Sequence, residues 1–462
     1  MKQRKLCSRS GGLSRREFRQ VGSLFAGGVL LDACGLKLGG IPASSVLETK
    51  TQVYAADAAR DLPLHFVFTK DYFPGQVDAY DQWSGGTETM ELRAHNGKLF
   101  ASLGYWMDLP YFQAKGDEPW TGAQVLVKDS STAPWRVDVS FGVDYMRVES
   151  LTVVNFETDV YGARLPKRIN LLVAGPSDIN TRGKRWATAW TRDEATERWA
   201  KSDIAAEGRS AGVRSFASHR DSVTGIDYIF AGVSAGQIYR GGYDPTAPGR
   251  LLWQAEPELQ GTGRPMCMAE ANGVLYAACG IKSVNLHSGG LFRRLDGPKP
   301  EWEMIYRWPF RLSVRGDEMN IMRGLTAIAA SQDASLRVLL GGRNFGGVIE
   351  RIDPAQDYSV VTKLDLHDFF ARLWGVDDYR GPTLAAYNRF VPFRHPFTGE
   401  KLYLVGVAVI HPQADRPPHN GSFLLVRRAD ASYEGLEIYD PFHPLPKGRG
   451  LDGTRAIEVC PF

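Results

Sequence analysis

The run Ser218-His219-Arg220-Asp221 holds the most informative titratable group of the chain. A histidine changes charge near neutral pH, so it can hand on a proton where a carboxylate or an amine cannot. His219, together with Tyr387 and Arg389, supplies the side-chain types that β-elimination from a uronic acid requires. The guanidinium neutralises the substrate carboxylate, a base removes the C5 proton, and Tyr or His protonates the leaving oxygen. These three are the candidate catalytic residues. The competing reading makes His219 a hydrogen-bonded core or surface histidine with no chemistry.

Arginine recurs at the start of apolar runs: Arg147-Val148-Glu149, Arg214-Ser215-Phe216, Arg264-Pro265-Met266, Arg323-Gly324-Leu325 and Arg455-Ala456-Ile457. If these runs converge on one axis, Arg147, Arg214, Arg264, Arg323 and Arg455 form a ring of guanidinium groups suited to an anionic ligand such as a uronic acid, sulfate or phosphate. The alternative is that they pair with Glu88, Glu149, Asp221 or Glu270 and tie neighbouring repeats together.

Other candidates carry less. Gly208-Arg209-Ser210-Ala211-Gly212 and Gly232-Val233-Ser234-Ala235-Gly236 both read Gly-x-Ser-x-Gly, but strand-like runs follow each, whereas a nucleophile elbow needs a helix after the serine. They read as turns. His95, His219, His287, His411 and His419 show no metal-ligand spacing, and no cofactor is named by any motif. Cys267 and Cys279 flank Asn272-Gly273, and read as two separate buried thiols in preference to a cross-hairpin disulfide.

The elements that must position these residues are short strands. The clearest copy of a repeat runs from Arg264 through the turn Asn272-Gly273 and the strand Gly290 to Leu295 to Trp302. Asn96-Gly97 with Trp135, Arg168 to Gly175 with Trp199, and Asp227 to Gly232 with Trp253 repeat the same grammar. Further copies without the tryptophan lie around Arg337 to Asp353 and Lys401 to Asp430. Four short strands per copy, every 50 to 65 residues, predict β-propeller blades that bury their faces on one another. Over nearly the whole chain after the leader, the repeat loosely resembles kelch-type and other secreted propeller repeats, without the regular Gly-Gly pair; the resemblance implies a fold and no activity.

The expected fold class is therefore all-β, a single seven-bladed β-propeller over residues 62–462. Full modules begin near Glu88, Arg147, Arg214, Arg264, Arg323 and Thr383. A seventh starts at Thr454 to Val459 and takes a partner strand from Leu64 to Phe68, or else is incomplete. Helical period appears only over Leu366 to Trp374.

At 462 residues, 43% hydrophobic and 23% charged, the chain can bury a large core, which excludes disordered and disulfide-scaffold classes. The first 34 residues read as a leader, with the cleavage point at Cys34 or as late as residue 55 and a linker over 35–61. Ser14-Arg15-Arg16-Glu17-Phe18 before the apolar run Val21 to Leu31 resembles a bacterial twin-arginine (Tat) signal. That resemblance implies the Tat machinery as a partner, a periplasmic or extracellular destination, and a hint of a cofactor loaded before export. Leu31-Asp32-Ala33-Cys34 resembles a lipobox, which would tether Cys34 to lipid. The leader's seven basic and two acidic residues exceed the whole chain's charge of +3, so the remainder is near −2 and nucleic-acid binding is not expected. Two functions remain open: a channel-facing lyase or hydrolase on an acidic saccharide, and a non-catalytic scaffold binding a protein or glycan.

Overall fold

The computed structural model describes residues 29–31, 66–69, 71–72, 74–86, 88–105, 121–178, 187–205, 212–283, 286–309, 311–312, 318–319, 321–329, 331–341, 346–376, 380–384, 388–410, 422–438, 454–460 and 462. The chain is a β-propeller. Six antiparallel units follow one another, each with its first strand innermost. The first unit comprises Glu88–His95, Lys98–Gly104, Gln124–Lys128 and Arg136–Ser140, and the second Tyr145–Thr158, Arg164–Asp178, Ala187–Asp193 and Arg198–Ala205. The third comprises Val213–Arg220, Asp227–Val233, Gln237–Tyr243 and Leu251–Trp253, and the fourth Pro265–Ala271, Val274–Ser283, Leu286–Leu295 and Glu301–Arg307. The fifth comprises Ile321–Ala327, Leu336–Gly341, Gly347–Asp353 and Ser359–Asp365. In the sixth, Arg380–Thr383 and Val391–Arg394 both pair with Lys401–Ile410, followed by Ser422–Arg427 and Tyr433–Glu437.

Hairpin chemistry sets the first turn inside two of the units. Asn96-Gly97 and Asn272-Gly273 place both central residues at positive φ (49° and 74°, 53° and 76°), the backbone that joins two strands through a two-residue turn matched to their twist. The helix Leu366–Trp374 starts where the Asp365 side chain accepts from the His367 and Asp368 amides, and stops at Gly375 in the left-handed region.

The core lies between units. Tyr228, Phe230 and Ile238 of the third pack on Leu275, Ala277 and Phe292 of the fourth, and the same pattern joins the second to the third and the fifth to the sixth. Residues 454–460 close the circle, because Ile457 packs with the sixth unit while Ala456 and Cys460 pack with the first. Ile457–Val459 pairs in parallel with Val29–Leu31. The expected partner, Leu64 to Phe68, behaves differently: Phe66 and Phe68 contribute rings to the cluster with Val391, Phe393 and Ile457 but form no strand. Cys267 and Cys279 are both free and buried, since the hairpin register sets Cys279 opposite Pro265 and Cys267 opposite Ala278. Among the described residues no helix is long and apolar enough to cross a membrane.

Candidate functional site at the start of the inner strands

Five inner strands carry a β-bulge near their starts, leaving Met90, Glu149, Arg214, Met266 and Arg323 each without a cross-strand partner. A bulge re-aims its residue out of the regular alternation, and here Arg214 meets Glu149 while Met90 and Met266 share one apolar cluster. Arg214 and Arg147 both pair with Glu149, which is fully buried and also accepts from Ser177 at 2.9 Å. Arg455 sets Nη1 3.2 Å from Met90 Sδ and Nη2 3.7 Å from Glu88. Met90 in turn belongs to one apolar cluster with Met266, Cys267 and Met322 of the fourth and fifth units.

Beside this layer lies a second group, of which the sequence singled out only Arg389. Arg389 forms a two-pronged pair with Glu91, at 3.1 and 2.9 Å, and Arg93 reaches the same Glu91 at 3.0 Å and Glu458 at 3.6 Å. Burial and the neighbouring Arg389 push the Arg93 pKa down. Burial also works against the charge on Arg389, but Glu91 outweighs it and holds that group above its usual range. Burial raises the Glu458 carboxyl against the pull of Arg93 and Arg389, and drives the nearby Cys267 thiol up to about 12, so it stays protonated at neutral pH. The signal for this group was present in Glu91-Leu92-Arg93, whose alternation puts the two charges on one side of a strand.

Of the candidate ligand-binding residues, the structure thus brings Arg147 and Arg214 together on Glu149 and Arg455 onto Glu88. Arg264 is exposed. The Arg323 side chain runs past Gly341, where an added methyl would meet its Nε at 2.8 Å. Arg389 and Arg455 keep 28% and 25% of their side chains accessible, the most open guanidinium groups of those paired here.

His219 lies elsewhere. It is next to last in its strand, while Arg214 is second, which separates them by about 16 Å of extended chain. Its Nδ1 is 2.8 Å from Glu270 and its Nε2 is 3.0 Å from both oxygens of Asp296. Asp296 also takes Arg294, which bonds Asp221 and Glu258 as well. Burial opposes the imidazolium, but the bonds to Glu270 and Asp296 prevail and raise its pKa. Arg389 adjoins Cys267 near the start of the fourth unit's inner strand, whereas Glu270 is near its end, so Arg389 and His219 occupy different levels of the ring. Tyr387 lies outside the described residues.

The arrangement around His219 has a twin. His95 ends the first unit's inner strand, meets Glu194 of the second unit at 3.2 Å, and has the Phe100 ring at 6.3 Å. Arg192 stacks over Phe100 at 5.1 Å, as Arg294 stacks over Phe230, the ring beside His219, at 5.2 Å. In both places a histidine of one unit grips an acid two residues beyond the next unit's buried arginine. The Gly-x-Ser-x-Gly run at 232–236 is the turn between two strands of the third unit; Ser234 there accepts from Arg214 Nε at 2.7 Å and donates to the Gly212 carbonyl. The other such run falls, apart from Gly212, outside the described residues.

Comparison with known proteins finds no matching family model and no matching curated protein. Solved structures do match. The periplasmic gluconolactonase of Pseudomonas aeruginosa is 13% identical, covering 78% of this chain and 94% of its own, with a TM-score of 0.40. A Synechocystis apocarotenoid oxygenase mutant is 12% identical over 81% of this chain and 75% of its own, TM-score 0.40. The Aleuria aurantia lectin, in complex with a methyl fucoside, is 9% identical over 76% of this chain and 95% of its own, TM-score 0.37.

Proposed function

We propose that this chain is an exported propeller that binds an acidic saccharide, without turning it over, at the end of its axis where the inner strands begin. One observation carries the reading: the arginines gather at that end while His219, the proton-transfer group of the expected trio, is built into an inter-unit contact at the other. The arginines suit recognition of a carboxylate, and the acids among them, Glu88, Glu91 and Glu149, are already taken up in arginine pairs, while His219 stands at the other end. Arg389 and Arg455 are the most open of the paired arginines, Arg147 and Arg214 are more deeply buried on Glu149, and Arg264 is exposed. The twin-arginine resemblance supports the exported location, and the lipobox at Cys34 a membrane tether.

The test is calorimetric titration with oligogalacturonate and with a neutral oligosaccharide of equal length. Saturable binding of the acidic oligomer alone is expected, weakened at least tenfold in Arg389→Gln or Arg455→Gln, with no rise in absorbance from an unsaturated uronate. Equal binding of the neutral oligomer would overturn the proposal. Turnover abolished in Tyr387→Phe would replace binding with the lyase.

A further inference from the structure

Two units use one device to tie a buried arginine to an aromatic neighbour. In the second, Arg192 stands opposite Trp199 across the third and fourth strands. Arg192 Nε and the indole N–H both donate to Asp138 Oδ2, at 2.9 and 2.7 Å. In the fourth, Arg294 stands opposite Trp302, and the same two donors meet at Glu258 Oε2, at 2.9 and 3.4 Å. Both carboxylates are almost wholly buried, at 1% and 4% exposure.

The sixth unit repeats the donors without the acceptor. Arg427, 2% exposed, stands opposite Tyr433. Its Nε and Nη1 and the Nε of the fully buried Arg337 are buried without a hydrogen-bond partner among the described residues, and the buried Tyr433 hydroxyl lies beside Arg337 without a well-formed hydrogen bond. A single carboxylate serves both arginines: Asp333 Oδ2 takes Arg337 at 2.6 Å and Arg427 at 3.2 Å, while its Oδ1 accepts from Ser335. Arg351 stands 3.8 Å from the same Oδ2 and spends its closer bond, 2.9 Å, on Asp353. Glu434, next along the strand, pairs with Arg428, which Glu400 also holds. Three guanidinium groups thus meet two carboxylates, and the donors left over occupy the positions that grip Asp138 and Glu258 in the sister units. A buried arginine with idle N–H groups is the costliest kind of unsatisfied donor, and an anion satisfies it with charge as well as geometry.

We propose that a small inorganic monoanion of the halide class, chloride foremost, fills the missing carboxylate's place, held by Arg427 Nε and Nη1 and by the Tyr433 hydroxyl, and so cements the fifth unit to the sixth. One negative charge balances Arg337, Arg351 and Arg427 against Asp333 and Asp353.

The experiment uses the full chain. Crystals soaked in bromide should give an anomalous peak within hydrogen-bonding reach of Arg427 and Tyr433. Thermal unfolding in chloride, against isethionate at constant ionic strength, should show a saturable rise of about 2–3 °C. Tyr433→Phe, which keeps the ring, should flatten that dependence. No peak, a water or a carboxylate of this chain at that place, or an undiminished chloride effect in Tyr433→Phe would each overturn the assignment. A bromide peak with no chloride dependence in solution means an adventitious ion only, and overturns it equally.

Discussion

At the scale of single residues, His219 shows how a group with catalytic credentials is put to structural use. Both of its ring nitrogens face carboxylate oxygens, and a neutral imidazole carries only one N–H, so the contact requires the imidazolium. Its pKa is raised in the folded chain. The linkage follows: the stabilisation is complete below the unfolded value of about 6.5 and is lost as pH rises through the folded one. Replacing His219 by Gln should therefore cost about 3 kcal/mol at pH 6, with the gap to wild type narrowing steadily towards pH 9. Melting curves of both proteins across pH 5.5–9 measure this; a gap independent of pH would show that the histidine acts through shape alone. The sequence allowed a hydrogen-bonded core histidine but not its partners, because Glu270 and Asp296 lie 51 and 77 residues away in the chain.

At the scale of elements, the repeated tryptophans acquire a meaning that spacing alone does not give. Trp135, Trp199 and Trp302 each donate to a carboxylate that also binds the cation at the end of the third strand, Lys128, Arg192 and Arg294 respectively. Trp253 departs from the rule and donates to Ser202 of the preceding unit. Each carboxylate comes from outside the unit it serves, so the pair of donors binds sheet to sheet. Asp138→Asn should cost about 2–3 kcal/mol, since Arg192 keeps Glu194 and Glu197 but loses the charge at its Nε, whereas Trp199→Phe, which removes one neutral donor, should cost only about 1 kcal/mol. Chemical denaturation of the two variants distinguishes them; equal losses would mean that the ring, not the charge, holds this joint. The first hairpins of the first and fourth units and the helix at Leu366–Trp374 were legible because Asn-Gly turns, the Asp365 cap and Gly375 act within a few residues. The bulges were not, since an unpartnered residue such as Arg214 differs from a paired one only in the register of the adjoining strand.

At the scale of the whole molecule, adjoining units approach closely at glycines of the second strands. A methyl on Gly175 would sit 2.7 Å from Val213 Cβ, and one on Gly232 the same distance from Pro265 Cβ, each contact being with the first residue of the following inner strand. Gly406 meets Thr454 in the same manner. Gly232→Ala should cost about 1–3 kcal/mol by forcing the third and fourth units apart, while Gly273→Ala, whose methyl meets nothing within 4 Å, should pay only for its positive φ of 76°. Calorimetry of the two proteins tests the contrast; a Gly232 variant as stable as wild type would show that the ring has slack. The ring closure itself was partly legible: residues 454–459 were expected to join the termini, but the strand that meets Ile457–Val459 is Val29–Leu31, at the end of the apolar run Val21 to Leu31.

The glycines also bear on how such a chain is copied and recombined. A duplicated unit inserts into the ring only if its second strand brings a residue without a side chain to the point where the next inner strand begins, and only if that next strand opens with a residue shaped to use the gap. Val213, Pro265 and Thr454 differ, yet each is met by glycine. The acceptable identity at one unit's edge is therefore inherited from its neighbour, so successful exchanges between related chains should fall between the second strand of one unit and the first strand of the next only when both sides of that seam travel together.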